Sequence, residues 1–241
     1  MATPWPGPPK QMAPKHRRSQ VRRIVTATRG NHGQSELIEH GRDFDDAKEE
    51  AARIATERCL EYAPSFHRDF VVGVATYAFE LFTAIVDLDT IYVPIGLGSG
   101  ICGVIGMRDL LGLKTKIVGV VAESANTYSR SVAAGRIAPT ASALTFADGM
   151  AVRVPDATAL DVIRRGADRI VEVSDNEIAE AVRVIYSTTH NCAEGAGAAA
   201  LAGLIKERER LHGPAAVILS GQNIDRTWMQ TILAGGTPRV S

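Results

Sequence analysis

Residues 93–103 read Val-Pro-Ile-Gly-Leu-Gly-Ser-Gly-Ile-Cys-Gly, so four glycines fall between an apolar run and a helical pattern. The run at 90–95 predicts a buried strand, and the pattern at 101–112 predicts the helix that follows it. At such a turn the backbone N–H groups and the positive end of the helix dipole converge on one point. The stretch therefore predicts a loop that binds a phosphate group.

The same glycines leave two other interpretations open. The G-x-G-x-x-G spacing at 98–103 fits the dinucleotide fingerprint, and Glu123 ends the next predicted strand about 20 residues later, where an acid that binds ribose would lie. Taken alone, the loop favours an NAD-dependent oxidoreductase, and a tight turn needed only for packing is the remaining alternative. A serine nucleophile is excluded, because Ser99 lies between Leu97 and Ile101 and not between the glycines of a G-x-S-x-G elbow.

Strands and helices alternate along the rest of the chain. Short apolar runs predict strands, and apolar residues spaced by three or four predict helices. The predicted strands are 23–27, 116–122, 169–173 and 215–220, and the further predicted helices are 43–60, 68–85, 126–134, 157–166, 175–189 and 194–212. This order predicts an α/β fold with a mostly parallel sheet and helices on both faces.

Composition narrows the class of partner. The chain has 241 residues, 45% of them hydrophobic and 22% charged, which is enough to bury a substantial core. Lys+Arg and Asp+Glu both number 27, so no net field favours nucleic acid or an anionic membrane. No apolar run approaches the roughly 20 residues of a membrane helix. A small-molecule partner is the expectation.

The cysteines indicate the compartment. Cys59, Cys102 and Cys192 are odd in number, lie far apart and form no C-x-x-C pair. They therefore predict neither a disulfide framework nor a zinc site, and they favour a reducing cytoplasm. No metal site is predicted. Residues 1–23 are basic and rich in proline, a composition that predicts a disordered arm.

Four further segments settle the choice among these interpretations when they are taken with the loop. They read Thr-Arg-Gly-Asn-His-Gly-Gln-Ser at 28–35, Ala-Asp-Gly-Met-Ala-Val at 147–152, Asn-Cys-Ala-Glu-Gly-Ala-Gly-Ala-Ala-Ala at 191–200 and Leu-Ser-Gly-Gln-Asn at 219–223. In this order the chain resembles the pyridoxal-phosphate-dependent threonine/serine dehydratases, or threonine ammonia-lyases, of the tryptophan-synthase-β-like fold, known as fold type II. The resemblance is almost continuous from Thr90 to Asn223.

The resemblance implies a cofactor, a set of contacts and a reaction. The cofactor is pyridoxal 5'-phosphate, and the substrate is a small hydroxy amino acid that is deaminated to a 2-oxo acid. Asn31 matches the residue that donates to the cofactor's phenolic oxygen, and Ser220 matches the neutral partner of the pyridine nitrogen. The residues that match the phosphate grip are Gly96, Leu97, Gly98, Ser99 and Gly100, and those that match the substrate carboxylate site are Thr28, Arg29, Gly30 and His32.

The chain departs from this family in two places. Complete members carry a Ser-x-Lys lysine upstream of the G-N-H-G turn, whereas the upstream lysines here are Lys10 and Lys15, which match no such motif. A few dozen residues of the small domain are also missing after Ser35. The resemblance therefore implies a truncated member in which no catalytic lysine is identified.

These departures define the expected domains and the competing functions. Residues 24–86 are predicted to be the remnant of a small domain, and residues 87–241 the large domain that binds the cofactor phosphate. The leading hypothesis is a dehydratase-like lyase with impaired catalysis. A non-catalytic pseudoenzyme or partner subunit is the second hypothesis, and an NAD-dependent oxidoreductase is the third. The resemblance is compatible with a homo-oligomer.

Overall fold

The computed structural model describes residues 24–25 and 38–240. Its strands are β1 (Ile24–Val25), β2 (Glu61–Tyr62), β3 (Thr90–Pro94), β4 (Lys116–Ala122), β5 (Arg169–Val173) and β6 (Ala215–Val217). Its helices are α1 (Phe44–Glu57), α2 (Arg68–Ala84), α3 (Ser99–Leu110), α4 (Thr127–Ala134), α5 (Ala157–Gly166), α6 (Asp175–Thr189), α7 (Gly195–Lys206) and α8 (Arg226–Leu233). The predicted arm at 1–23 lies outside the described residues.

The central sheet has four strands, all parallel, in the order β5-β4-β3-β6. A separate parallel pair joins β1 to β2. The two middle strands of the central sheet are almost wholly buried, which explains their continuous apolar runs. The predicted α/β class with a mostly parallel sheet is confirmed.

Helices cover both faces of this sheet. A Cβ added at Gly119 of β4 would lie 3.2 Å from Cδ1 of Ile101 in α3, whereas a Cβ added at Gly203 of α7 would lie 2.7 Å from Cγ2 of Val120. Neighbouring residues of a strand point to opposite faces, so α3 and α7 pack on opposite sides. At both glycines a side chain would collide with the neighbouring element, so glycine lets each helix pack closely on the sheet.

The edge strand β6 is shorter than predicted, because it ends at Val217 and not at residue 220. Its partner β3 explains this. Ile218 N–H donates to the Tyr92 carbonyl, so alternate residues of β3 face β6, and the next of them is Pro94. Proline has no N–H to donate, so the ladder stops there and the chain is free to turn. The predicted helix 194–212 is also too long, since α7 ends at Lys206.

The helix α2 packs within the same core as the large sheet. Val71, Ala78 and Phe82 belong to the buried cluster that also contains β3 and β4. A Cβ added at Gly103 of α3 would lie 3.1 Å from the Ala75 nitrogen of α2, so the two helix backbones nearly touch. The division of the chain at residues 86 and 87 stays a prediction. Within the described ranges, no helix is long and apolar enough to cross a membrane.

An arginine from the loop before α5 fastens α1 to the rest of the fold. The Arg153 guanidinium donates to Asp43 and, over 2.9 Å, to Oδ1 of Asp46, while its backbone N–H donates to Oδ2 of Asp45 over 3.0 Å. Asp43 also caps α1 through the N–H groups of Asp45 and Asp46. The hydrogen bond from Arg153 lowers the pKa of Asp43 below its ordinary value of 3.8, so this carboxylate stays charged.

We expect Arg153→Ala to lower the free energy of unfolding by about 2 kcal/mol, because it removes the cation from the largely buried Asp43 and Asp45, whereas Asp46 keeps its pairing with Arg42. Arg165→Ala is the matched control, since Arg165 pairs with Asp161 at 2.7 Å where both side chains are more than 60% exposed. Such a pair contributes less than about 1 kcal/mol. Urea unfolding measures both variants, and equal losses would contradict the fastening role.

Candidate functional site

The glycine loop lies at the carboxyl end of β3 and leads directly into α3. Gly98 is the N-cap of α3, with a φ of 98°, and it supplies no side chain to cap the helix. Its carbonyl accepts from Cys102, so the preceding N–H groups of the first turn, those of 99–101, have no partner within the helix. Unpaired N–H groups at the positive end of a helix dipole form an anion site.

The loop contains glycine where its neighbours come too close for a side chain. A Cβ on Gly96 would lie 2.4 Å from the Gly149 carbonyl oxygen, and a Cβ on Gly98 would lie 2.8 Å from Cβ of Ala159. The positive φ of Gly98 adds a second reason for glycine at that position. The loop is therefore pressed between the turn at 148–150 and the start of α5.

Two tyrosine hydroxyls hold loop carbonyls from outside. Tyr128 donates to the Leu97 carbonyl over 2.7 Å, and Tyr77 donates to the Gly100 carbonyl over 3.3 Å. Burial raises the pKa of both phenols above their ordinary value, so both remain protonated donors at neutral pH. The carbonyls of the loop are thus bound by the protein, whereas the first N–H groups of α3 are not bound by a capping side chain.

The start of α7 meets the segment 219–223 beside the loop. Glu194 N–H donates to the Gly221 carbonyl over 3.1 Å, and Oε2 of Glu194 accepts from Asn223 N–H over 2.9 Å. A Cβ on Gly149 would lie 2.9 Å from Cβ of Ala196, so the turn that touches Gly96 also touches α7. An unbroken series of close contacts therefore runs from the loop through Gly149 to Gly221.

A cavity of about 460 Å³ opens beside Glu194 and Asn223 of this contact series. Glu194 lies in its wall, and burial raises the pKa of this carboxyl above the ordinary value, with a smaller contribution from the charge of Asp148. Phe146 and Trp228 form an edge-to-face pair with ring centres 6.2 Å apart. The lining residues are Phe146, Asp148, Glu194, Gly195, Asn223, Ile224, Asp225, Arg226 and Trp228.

The structure describes part of the predicted site. Of the five predicted phosphate-grip residues, Gly96, Leu97 and Gly98 lie in the loop between β3 and α3, and Ser99 and Gly100 begin α3, while Ser220 lies exposed in the segment after β6. Asn31 and the predicted substrate residues Thr28, Arg29, Gly30 and His32 lie outside the described residues. The sequence missed Tyr128 and Tyr77, for which it carries no local signal, and it left Glu194 undecided although this acid directly precedes the small-residue helix.

Two lysines of the described part are paired with acids outside the cavity lining. Lys206 Nζ lies 3.1 Å from Oε2 of Glu177 and 3.4 Å from Oε1 of Glu123, and Lys116 lies 3.5 Å from Asp89. The cavity lining contains one arginine and no lysine. The pairing of Glu123 with Lys206 also weighs against a role for this acid in binding ribose. No group of three or more metal-binding side chains occurs in the part of the chain that the structure describes.

A parallel α/β sheet with an uncapped helix start after a glycine loop defines a protein that binds a phosphate-bearing ligand. The chain belongs to the family described as pyridoxal-phosphate dependent enzymes, whose model matches residues 34–221. It is 30% identical over 213 residues to an L-threonine ammonia-lyase of Thermotoga maritima, a match that covers 88% of this chain and 53% of the relative. An L-threonine ammonia-lyase of Geobacter sulfurreducens is 33% identical over 214 residues, with the same coverage.

Solved structures agree with this family. The processed form of threonine deaminase isoform 2 from Solanum lycopersicum superposes with a TM-score of 0.76 at 27% identity, covering 82% of this chain and 56% of that one. Maize serine racemase gives a TM-score of 0.73 at 25% identity, covering 82% and 64%. The predicted family and fold type II are confirmed. The chain spans about half the length of the curated relatives it matches.

The residues present fit the phosphate of the family's cofactor. The N–H groups at the start of α3 have no capping side chain, and the loop before them is rich in glycine. A Cβ at Gly96 would collide with the turn at 148–150. The uncapped start of α3 is thus suited to bind the phosphate of pyridoxal phosphate, the cofactor of the family. The predicted contacts of Asn31 and Ser220 with the cofactor remain proposals.

We expect Gly98→Ala to weaken binding of pyridoxine 5'-phosphate, a cofactor analogue without the aldehyde, by more than tenfold. The added methyl group strains the positive φ and also meets Ala159 and Tyr128, so the loop must move. Gly112→Ala is the matched control, since Gly112 has a φ of 65° but open space around it. Calorimetry compares the two, and a similar loss in both variants would count against the loop as the binding site.

Proposed function

We propose that this chain derives from, and retains the cofactor cradle of, a threonine/serine dehydratase-like lyase that deaminates a hydroxy amino acid to a 2-oxo acid. The observation that carries the proposal is the series of contacts that starts at the glycine loop. Gly96 lies against the turn at 148–150, that turn lies against the start of α7, and the start of α7 is hydrogen-bonded to the segment 219–223. Similar proteins named threonine ammonia-lyase and threonine dehydratase support the reaction class.

Each candidate residue has a role in this proposal. The cofactor, when bound, supplies the electron sink for elimination. The backbone N–H groups of 98–101 hold its phosphate, and Asn31 donates an amide N–H to its phenolic oxygen. The Ser220 hydroxyl meets the pyridine nitrogen without forcing it to carry a proton, which favours elimination over transamination. Thr28, Arg29, Gly30 and His32 orient the substrate carboxylate.

The proposal assigns no residue to proton transfer at the substrate's α-carbon. Family members use a lysine for this step, and the segments that match the family here contain none at the corresponding place. The 241-residue chain is therefore proposed to bind cofactor while catalysing poorly. The second candidate is a non-catalytic subunit that works with a partner. The same observation supports it, because the chain matches the family's cofactor site and lacks a match to its catalytic lysine.

Three further statements belong to the proposal and not to the established family. The division into a small unit at 24–86 and a phosphate-binding unit at 87–241 is supported by the position of the loop. A cytoplasmic location is supported by the free state of Cys59, Cys102 and Cys192. A homo-oligomer and a small amino-acid substrate rest on the resemblance to the family.

We expect the chain to bind pyridoxal phosphate saturably and to show no saturable binding of NAD. The contacts of the loop suit one phosphate, and Glu123 already forms an ion pair with Lys206 over 3.4 Å. Calorimetry with both ligands makes the comparison, and Glu123→Ala serves as the control variant. Saturable NAD binding that disappears in Glu123→Ala, without any response to pyridoxal phosphate, would replace the lyase by an oxidoreductase.

We also expect the purified chain to release 2-oxo acid from threonine or serine only at trace rates. Loss of a general base alone costs about 10² to 10⁴ in rate. The assay couples 2-oxo acid release to a dehydrogenase, and borohydride reduction followed by mass spectrometry identifies any lysine that captures the cofactor. Robust turnover that is lost when one such lysine becomes alanine would show that another lysine has taken over the step.

A further inference from the structure

We infer that Tyr128 is a positioning residue of the phosphate loop, because its buried hydroxyl fixes the peptide between Leu97 and Gly98 with the N–H directed at the ligand. The inference deepens the proposed function and rests on it. It assigns a role to a side chain from α4, which lies 31 positions away from the loop in sequence.

The Tyr128 hydroxyl has one hydrogen-bond acceptor and one hydrogen-bond donor as partners. Tyr128 is 1% exposed, and its hydroxyl has two hydrogen bonds. It donates to the Leu97 carbonyl over 2.7 Å and accepts from the N–H of Asp156, the N-cap of α5, over 3.2 Å. One oxygen atom therefore joins α4, the loop and the start of α5. A hydroxyl with both roles satisfied in a buried setting has one orientation.

The orientation of one carbonyl fixes the orientation of the next N–H. The chain has no cis peptide bond among its described residues, so the Leu97 carbonyl and the Gly98 N–H point in opposite directions across one planar unit. Holding the carbonyl toward Tyr128 therefore keeps the N–H turned to the other side of the loop. Gly98 has no side chain to resist rotation, and a rotated peptide would present a carbonyl oxygen to the phosphate.

The packing around Gly98 agrees with this role. The position of a Cβ on Gly98 lies 3.3 Å from the Tyr128 oxygen and 2.8 Å from Cβ of Ala159. The tyrosine thus touches the side of the loop that faces α5. Removal of the hydroxyl leaves the Leu97 carbonyl without its donor and the peptide free to turn. A purely structural tyrosine would instead affect stability without preference for any ligand.

The test separates these roles with two ligands that differ only in the phosphate. Pyridoxine 5'-phosphate and pyridoxine lack the aldehyde, so neither reacts with surface lysines, and their affinity ratio reports on phosphate binding alone. We expect Tyr128→Phe in the full 241-residue chain to reduce this ratio roughly tenfold, the effect of losing one hydrogen bond and leaving its acceptor unpaired. The affinity for pyridoxine itself should remain within about twofold, because the inference leaves its contacts unchanged.

Tyr92→Phe is the matched control. Tyr92 is fully buried in β3, and its hydroxyl donates to Glu207 over 3.1 Å and accepts from Arg169 over 3.4 Å, so its partners lie on other elements than the loop. It should lose stability without changing the affinity ratio. Thermal unfolding confirms that each variant is folded. If Tyr128→Phe is unfolded at the assay temperature, all chains are compared in trimethylamine N-oxide, which favours the folded state.

Each outcome decides one question. A reduced ratio in Tyr128→Phe, with an unchanged ratio in Tyr92→Phe, supports the positioning role. An unchanged ratio, or an equal loss of affinity for both ligands, overturns it while the proposed cofactor site stands. Wild-type chain that binds pyridoxine 5'-phosphate no more tightly than pyridoxine overturns the cofactor site as well, and with it the inference.

Discussion

The site is built around a close approach between two stretches of backbone, the glycine loop and the turn at 148–150. A single Cβ on Gly96 would come within 2.4 Å of the Gly149 carbonyl oxygen, a separation at which real atoms repel strongly. Gly149 in turn lies against the start of α7, which is hydrogen-bonded to the segment 219–223. The site therefore depends on glycines less for flexibility than for the absence of side chains.

The sequence predicts the bounds of an element correctly where the residues that set those bounds lie within the element or next to it. The bounds of α5, β5 and α6 were predicted correctly because capping residues mark the helix starts, with Asp156 before α5 and a capping box at Ser174 and Glu177 before α6. The end of β6 was predicted wrongly, because the limiting residue is Pro94 on the neighbouring strand. The two-residue strand β2 and the eight-residue helix α8 were missed, since both are shorter than the stretch over which a hydrophobic period can be recognised.

The same distinction applies to the site. The loop at 96–100 could be located from the sequence because its glycines, the preceding strand and the following helix are contiguous. Tyr128, Tyr77 and Glu194 reach the loop or its neighbours from other elements, and nothing in their own sequence surroundings reports a contact that only folding creates. The family resemblance supplied Ser220 and Asn31, which elementary chemistry alone would have assigned to an ordinary strand end and turn.

Cofactor binding and proton transfer place different structural demands on a chain of this family. The predicted phosphate site is formed by backbone groups of the glycine loop, and the loop is held by close contacts of Gly96 with Gly149 and of Gly98 with Ala159. A general base needs one side chain held within about 0.5 Å of its productive position. Cofactor binding depends on many close contacts, whereas proton transfer depends on a single residue. A chain of this family can therefore lose the chemistry while the cradle still folds, because nothing in the packing of the loop requires the base to be present.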